Sequence, residues 1–370
     1  MRKSRKWSTK KHWLLRLGRL DFAHRIIAWQ KTHGRHDLPW QRTRDPYCIW
    51  LSEVMLQQTQ VATVIPYYER FIHRFANVRA LASAPDEAVM ACWAGLGYYS
   101  RARNLHRCAQ RIVGTHGGEF PRRAEQLAQL PGIGRSTAAA IAALAFGERA
   151  AILDGNVKRV LARHFAIDGY PGSSKVERVL WIRAESLLPA HEIEAYTQGL
   201  MDLGASVCAR SRPICPVCPV SDTCVARREQ TIGRLPAPRP ATARPVRSAT
   251  VLAMQDASGA VLLELRPPAG IWGGLLSLPE FEADATDDAI VAAVEARYGL
   301  LVALTEPLGG IRHEFTHYTY VMRPRCARVI GASAVAGSSL RRISGEELHT
   351  APLPAPIRRL LVQLALPVLA

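Results

Sequence analysis

Residues 130–137 read Leu130-Pro131-Gly132-Ile133-Gly134-Arg135-Ser136-Thr137 and run straight into an alanine-rich stretch. Apolar residues recur at helical spacing on the C-terminal side, so the Pro-Gly-x-Gly step reads as a turn between two helices. Such a turn leaves backbone N–H groups unpaired at the start of the second helix, where the dipole also favours an anion. A phosphate suits that position, and a protein that grips phosphates reads a nucleic-acid backbone rather than its bases. The pattern is the helix-hairpin-helix signature; a plain turn between helices is the alternative. Gly132, Gly134, Arg135 and Ser136 are the first candidate DNA contacts.

Outward from this turn, helical spacing covers 22–33, 49–62, 64–75, 86–93, 101–115, 136–146, 156–165, 175–188 and 192–206. The composition then changes. Between 227 and 247, Arg227, Arg228, Arg234, Arg239, Arg244 and Arg247 alternate with Pro236, Pro238, Pro240 and Pro245, which predicts a stiff, extended linker. Short β-like runs follow at 249–254, 260–265 and 316–322, with a helical stretch at 286–298. The expected architecture is an all-α helix-hairpin-helix domain over 21–226, the linker 227–247, and a separate α+β domain over 248–370.

The 370 residues carry a formal net charge of +17 in an otherwise ordinary composition, 48% hydrophobic and 21% charged. A chain this basic points to a polyanionic partner, with a generally Arg-rich proteome as the bland alternative. No apolar run is long enough to cross a membrane. The first nineteen residues hold Arg2, Lys3, Arg5, Lys6, Lys10, Lys11, Arg16 and Arg19 and no acid. No secretory apolar core follows, so this is a basic, disordered arm, an organellar transit segment or translation from an upstream start codon. A cytoplasmic, nucleoid-associated protein acting as a monomer is expected.

Two carboxylates stand out. Asp154 in Leu153-Asp154-Gly155-Asn156-Val157-Lys158-Arg159 directly precedes a helix, where it caps the first turn and is held ionised by it. Glu53 in Trp50-Leu51-Ser52-Glu53-Val54-Met55 has apolar neighbours at both strand and helix spacing, a setting that raises a carboxyl pKa. One neutral acid and one charged carboxylate are what cleavage of a glycosidic bond requires. Finally, Cys208, Cys215, Cys218 and Cys224 form a C-x6-C-x2-C-x5-C run. Four thiols so close can share one metal centre, at intervals unlike those of ferredoxin-type runs or zinc fingers. A disulfide set is the alternative, disfavoured by the reducing compartment that the rest of the chain implies.

Taken together these segments resemble the MutY adenine DNA glycosylases of the endonuclease III superfamily. The likeness rests on Leu38-Pro39-Trp40, the stretch Trp50–Tyr67, Gly95-Leu96-Gly97-Tyr98-Tyr99, the hairpin, residues 154–163, Met201-Asp202-Leu203-Gly204-Ala205 and the cysteine run. It extends over nearly everything from residue 21 onward. The resemblance implies that the cysteines hold a [4Fe–4S] cluster and that the substrate is double-stranded DNA with 8-oxoguanine opposite adenine. It implies that Glu53 protonates N7 of a flipped-out adenine, Asp154 stabilises the cationic sugar, and Asn156 orders the site. Gln58 and Tyr98 would wedge into the duplex. Lys158, Arg210 and Arg212 are further candidate DNA contacts. An abasic-site endonuclease and a replication clamp are candidate protein partners.

Bifunctional relatives carry a Schiff-base lysine just after the hairpin; Ser136 stands there, so a monofunctional enzyme is expected. The C-terminal part resembles a Nudix module, with Gly273-Gly274 and Glu280 at the start of its box. The carboxylates that would hold Mg²⁺ are replaced by Asp288-Ala289-Ile290-Val291-Ala292-Ala293, so pyrophosphatase chemistry is not expected. What remains is similar to a lesion-reading module, its Phe-Ser-His loop appearing as Phe315-Thr316-His317. Two other readings stay open: a bifunctional lyase for oxidised pyrimidines, and a DNA-binding protein whose carboxylates are vestigial.

Overall fold

A computed structural model describes residues 21–240, 243–267, 270–315, 317–333 and 340–365. The basic arm 1–20 and Thr316 lie outside the described residues. The chain divides into two compact units, Met1–Ser83 with Arg107–Ala241, and Ala84–His106 with Thr242–Ala370.

The first unit is helical. After α1 (residues 21–33) come α2 (Pro46–Met55), α3 (Val61–Arg74) and α4 (Val78–Ala82). The chain returns through α6 (Ser100–His116, beginning in the second unit after α5, Asp86–Trp93), α7 (Ala124–Leu127) and α8 (Arg135–Phe146). It continues as α9 (Gly155–His164), α10 (Ser174–Ser186), α11 (Ile193–Asp202) and the short α12 (Val225–Arg228). Ala138–Ala143 of α8 are all buried, and side chains that small let α2 and α11 pack close against it. One core joins Phe22 and Ile26 of α1 to Ala139, Leu161, Leu180 and Tyr196.

Two sequence expectations change here. The helix expected over 49–62 is two helices, because Gln58 takes a left-handed backbone, φ +57°, which a right-handed helix cannot continue. The stretch 227–247, read as extended linker, begins as packed chain. Leu235 is buried, and its carbonyl accepts from Nε of Arg163 at 2.8 Å. Proline keeps such a segment out of a ladder, but it does not prevent an apolar side chain and a carbonyl from finding a buried partner.

The second unit is built on a mixed sheet of β1 (Val246–Gln255), β2 (Val261–Leu265), β3 (Leu276–Ser277), β4 (Glu280–Phe281), β5 (Leu300–Pro307), β6 (Ile311–Glu314), β7 (Thr319–Ala332) and β8 (Leu340–Ile343). Its central order is β3-β2-β1-β7-β5; β1 and β7 run parallel and the other pairs antiparallel. Helix α13 (Asp287–Tyr298) is capped by Thr286 and closed by Gly299 at φ +65°. It lays Ile290, Val294 and Tyr298 on Leu252, Met254 and Val302 of the sheet. The last described helix is α14 (Ala355–Ala365). Residues 288–293 are thus helical and mostly apolar. Glu280 is paired with Arg266 at 2.9 Å, so this carboxylate is already engaged.

Candidate active site

Asp154 caps α9: its Oδ1 accepts from the Val157 N–H at 2.7 Å. The residue before it is tied to the hairpin helix, since the Leu153 N–H donates to Oγ of Ser136 at 2.9 Å. Asn156 lies in the first turn of α9, its Oδ1 accepting from Arg159 Nη2 at 2.8 Å. Gly204 faces Asn156 so closely that an added Cβ would stand 2.5 Å from the Asn156 Cβ. The Leu203–Val207 segment around it is one turn of π-helix, a form that recurs at functional sites.

Glu53 on α2 lines a cavity of about 310 Å³ walled by Trp40, Leu56 and Val61. Sequence reasoning missed most of its polar lining. Arg35 is fixed by the buried Asp202, through backbone N–H to Oδ2 at 3.0 Å and Nε to Oδ1 at 2.8 Å. Gln198 donates to the same carboxylate at 2.9 Å. Nε2 of Gln41 is buried without a hydrogen-bond partner among the described residues. The signal was present in the Leu38-Pro39-Trp40 and Met201–Ala205 segments, but a single motif does not reveal that two distant ones share a cavity.

Burial pushes the Glu53 carboxyl up to about 8, and the nearby Asp154 charge pushes it further in the same direction. Asp154 is raised as well, again by burial. The Val157 N–H and the Arg159 and Lys158 charges pull it down, as the cap position predicts, but burial is the larger influence. The expectation that the helix end holds Asp154 ionised is not met: burial outweighs the cap and both basic neighbours, and the net shift is upward. Of the two, Glu53 is the carboxyl lifted far enough to keep its proton at neutral pH.

The hairpin turn has the expected form: Gly132 at φ +77°, Ile133 buried, and Gly134 as the cap of α8 with no side-chain cap bond. Arg135 stacks over Trp181 at 3.8 Å and pairs with Glu185. Lys158 pairs with Glu177 at 2.6 Å. Both cations would have to exchange a carboxylate for a phosphate. Arg210 and Arg212 are exposed in the cysteine loop. Gln58 (φ +57°) in the first unit and Tyr98 (φ +48°, 47% exposed) in the second both hold a strained backbone, a state found where position matters more than stability. In the second unit a tight turn, closed by the Phe315 N–H donating to the Tyr318 carbonyl at 2.9 Å, presents His317 to solvent.

Cys208, Cys215, Cys218 and Cys224 are free thiols lining one small, nearly apolar cavity of about 30 Å³ beside Arg163. Burial raises Cys218 to about 11, and the other three cysteines raise it further, so four thiolates here need a cationic centre. Among the described residues no three His, Cys, Asp or Glu side chains close to single-ion geometry. Four thiols around one cavity are a donor set that a metal centre could use. Arginines frame the loop. Arg159 donates to the Cys208 carbonyl at 2.8 Å. Arg163 donates to the Ala209 and Arg210 carbonyls at 2.7 and 3.0 Å and to Sγ of Cys208 at 3.4 Å.

Residues 51–185 match the HhH-GPD superfamily of base excision DNA repair proteins, and residues 250–363 match the NUDIX domain. A protein of Buchnera aphidicola (subsp. Acyrthosiphon pisum) named adenine DNA glycosylase is 33% identical over 92% of this chain and 96% of its own length. The human protein of that name is 35% identical, over 91% of this chain and 73% of its own. Among solved structures, a thermostable thymine-DNA glycosylase aligns with a TM-score of 0.52 at 32% identity, covering 57% of this chain and 97% of its own.

Proposed function

From the chain's membership of the adenine DNA glycosylase family, we propose that it removes adenine paired with 8-oxoguanine or guanine in duplex DNA, as a monofunctional base excision repair enzyme. The observation that carries this reading is Glu53, a carboxyl raised to about 8 at the wall of a base-sized cavity, with the charge of Asp154 close by. Adenine must leave the stack to enter such a cavity. Glu53 would then protonate N7, turning the base into a leaving group as the bond from C1′ to N9 breaks. The carboxylate of Asp154 would stabilise the cation that develops on the sugar until water adds at C1′. Asn156, held by Arg159, would keep that side of the site in register.

Ser136 has no amine with which to form a Schiff base, and its hydroxyl is engaged by Leu153. Lys158 is held by Glu177. The product is therefore an abasic site, passed to an abasic-site endonuclease. The division of labour follows the same reading. Residues 21–226 are the catalytic module, and 248–370 read the lesion with Phe315, Thr316 and His317. Gln58, Tyr98, the hairpin residues Gly132 to Ser136, Arg210 and Arg212 hold the duplex. Cys208, Cys215, Cys218 and Cys224 would hold a [4Fe–4S] cluster, which would supply a rigid brace for the arginine-bearing loop and no electrons to base excision.

A single-turnover assay on a duplex with 8-oxoguanine opposite adenine tests this. Adenine release with strand breakage only after alkaline treatment is expected. Immediate strand scission would instead indicate a lyase, and no release would make the carboxylates vestigial.

A further inference from the structure

We propose that Arg103 is a positioning residue that joins the Tyr98 loop to the Phe315–His317 loop, so that what lies opposite the adenine governs how the duplex is opened. The inference rests on the roles proposed above for Tyr98 and for Phe315–His317. Its physical content is a continuous set of contacts inside the second unit.

At one end the loop Gly95–Tyr99 is held in an unusual shape. Gly95 and Gly97 have φ +99° and +76°, and Tyr98, though not glycine, has φ +48°. Trp93 Nε1 and Arg101 Nη2 both donate to the Gly97 carbonyl, at 3.0 and 3.2 Å. Tyr98 itself remains 47% exposed. Four residues after Tyr99, the start of α6 turns Arg103 toward the sheet domain, and its Nη1 donates to the Gly273 carbonyl at 2.5 Å.

Gly273 is the neighbour of Trp272, whose backbone is also left-handed at φ +55° while its side chain is buried. A bulky aromatic residue in that region is strained, so the surroundings must hold it there. The Trp272 ring packs on Phe315 at 5.5 Å and on Tyr320 at 5.8 Å between centroids. Phe315 begins the turn that carries His317. A shift of that turn therefore presses on Trp272, whose strained backbone leads directly to the carbonyl that Arg103 grips. A second link, Arg341 to Glu87 at 3.0 Å, ties α5 to β8 and keeps the segment seated.

Spatial continuity alone does not demonstrate coupling, so the test is a double-mutant cycle. Single-turnover adenine release is measured opposite 8-oxoguanine and opposite guanine for the wild type, Arg103→Ala, Arg103→Lys, Phe315→Ala and the Arg103→Ala/Phe315→Ala double variant. Arg103→Ala should lower the preference for 8-oxoguanine about fivefold while leaving the guanine rate in place. Arg103→Lys, which keeps a donor for the Gly273 carbonyl and guards against a misfolded alanine variant, should restore part of it. The double variant should lose no more preference than Phe315→Ala alone.

Multiplying effects, or an equal slowing on both duplexes, would overturn the coupling and leave Arg103 a merely structural contact. A wild type that releases adenine equally well opposite both bases would instead overturn the lesion-reading role itself. That result is read before any variant is examined.

Discussion

At Glu53 and at Cys218 burial acts in the same direction, lifting one carboxyl to about 8 and one thiol to about 11. The outcome differs because the neighbours differ. Glu53 faces a cavity and a second carboxylate, so the cheapest arrangement is to keep a proton, and a kept proton is what a general acid needs. Cys218 faces three more thiols, so the cheapest arrangement is to lose protons to a cationic centre. Raised pKa values therefore do not distinguish chemistry from metal binding until the surrounding charges are counted.

Replacing Glu53 by Gln attacks one side of this comparison and should produce the largest effect. Adenine release should fall by about 10²–10⁴, the usual scale of a lost general acid, while duplex affinity stays near that of the wild type. Asp154→Asn comes next. Asn caps a helix about as well as Asp, so a thermal melt should move little, yet the rate should fall by about 10²–10³ as the charge facing the sugar disappears. The same substitution should shift the alkaline limb of the rate profile to lower pH, because Asp154 is one of the two causes that raise Glu53. An unchanged rate would remove Asp154 from the mechanism.

On the other side of the comparison, Cys218→Ser should bleach the yellow-brown visible absorption and weaken duplex binding. It should affect the rate of base release from DNA already bound much less than Glu53→Gln does. A colourless wild type holding zinc would break the assignment of the centre. The smallest effects belong to Arg210→Ala and Arg212→Ala. Each should make the dependence of log affinity on log salt shallower by about 1, uniformly across sequences, without altering the chemical step.

Much of this was legible along the chain because it is local. The hairpin turn, the Asp154 cap, the helix over 287–298 and the four-cysteine run each declare themselves within a few residues. The lining of the Glu53 cavity was not legible, because Arg35, Gln41 and Gln198 meet only after α1, α2 and α11 have packed. The left-handed turn at Gln58 was hidden because its neighbours have the spacing of an uninterrupted helix. Strands β3 and β4 are two residues long and offer no alternation to detect. Thr316, proposed above as part of the lesion-reading loop, lies outside the described residues.

The central claim is that Glu53 works as a proton donor whose pKa has been lifted by burial and by Asp154. Its most direct test is the single-turnover rate of adenine release from an 8-oxoguanine:adenine duplex across the alkaline range. A group with a folded value near 8 and an ordinary value of 4.5 holds its proton at neutral pH and loses it as pH rises through about 8. The fold also binds a proton that the unfolded chain has already released in that window, so this group's contribution to stability falls as pH rises through it. The account predicts a rate that drops about tenfold per pH unit above that point. A rate that stays level or rises through the same range would contradict it.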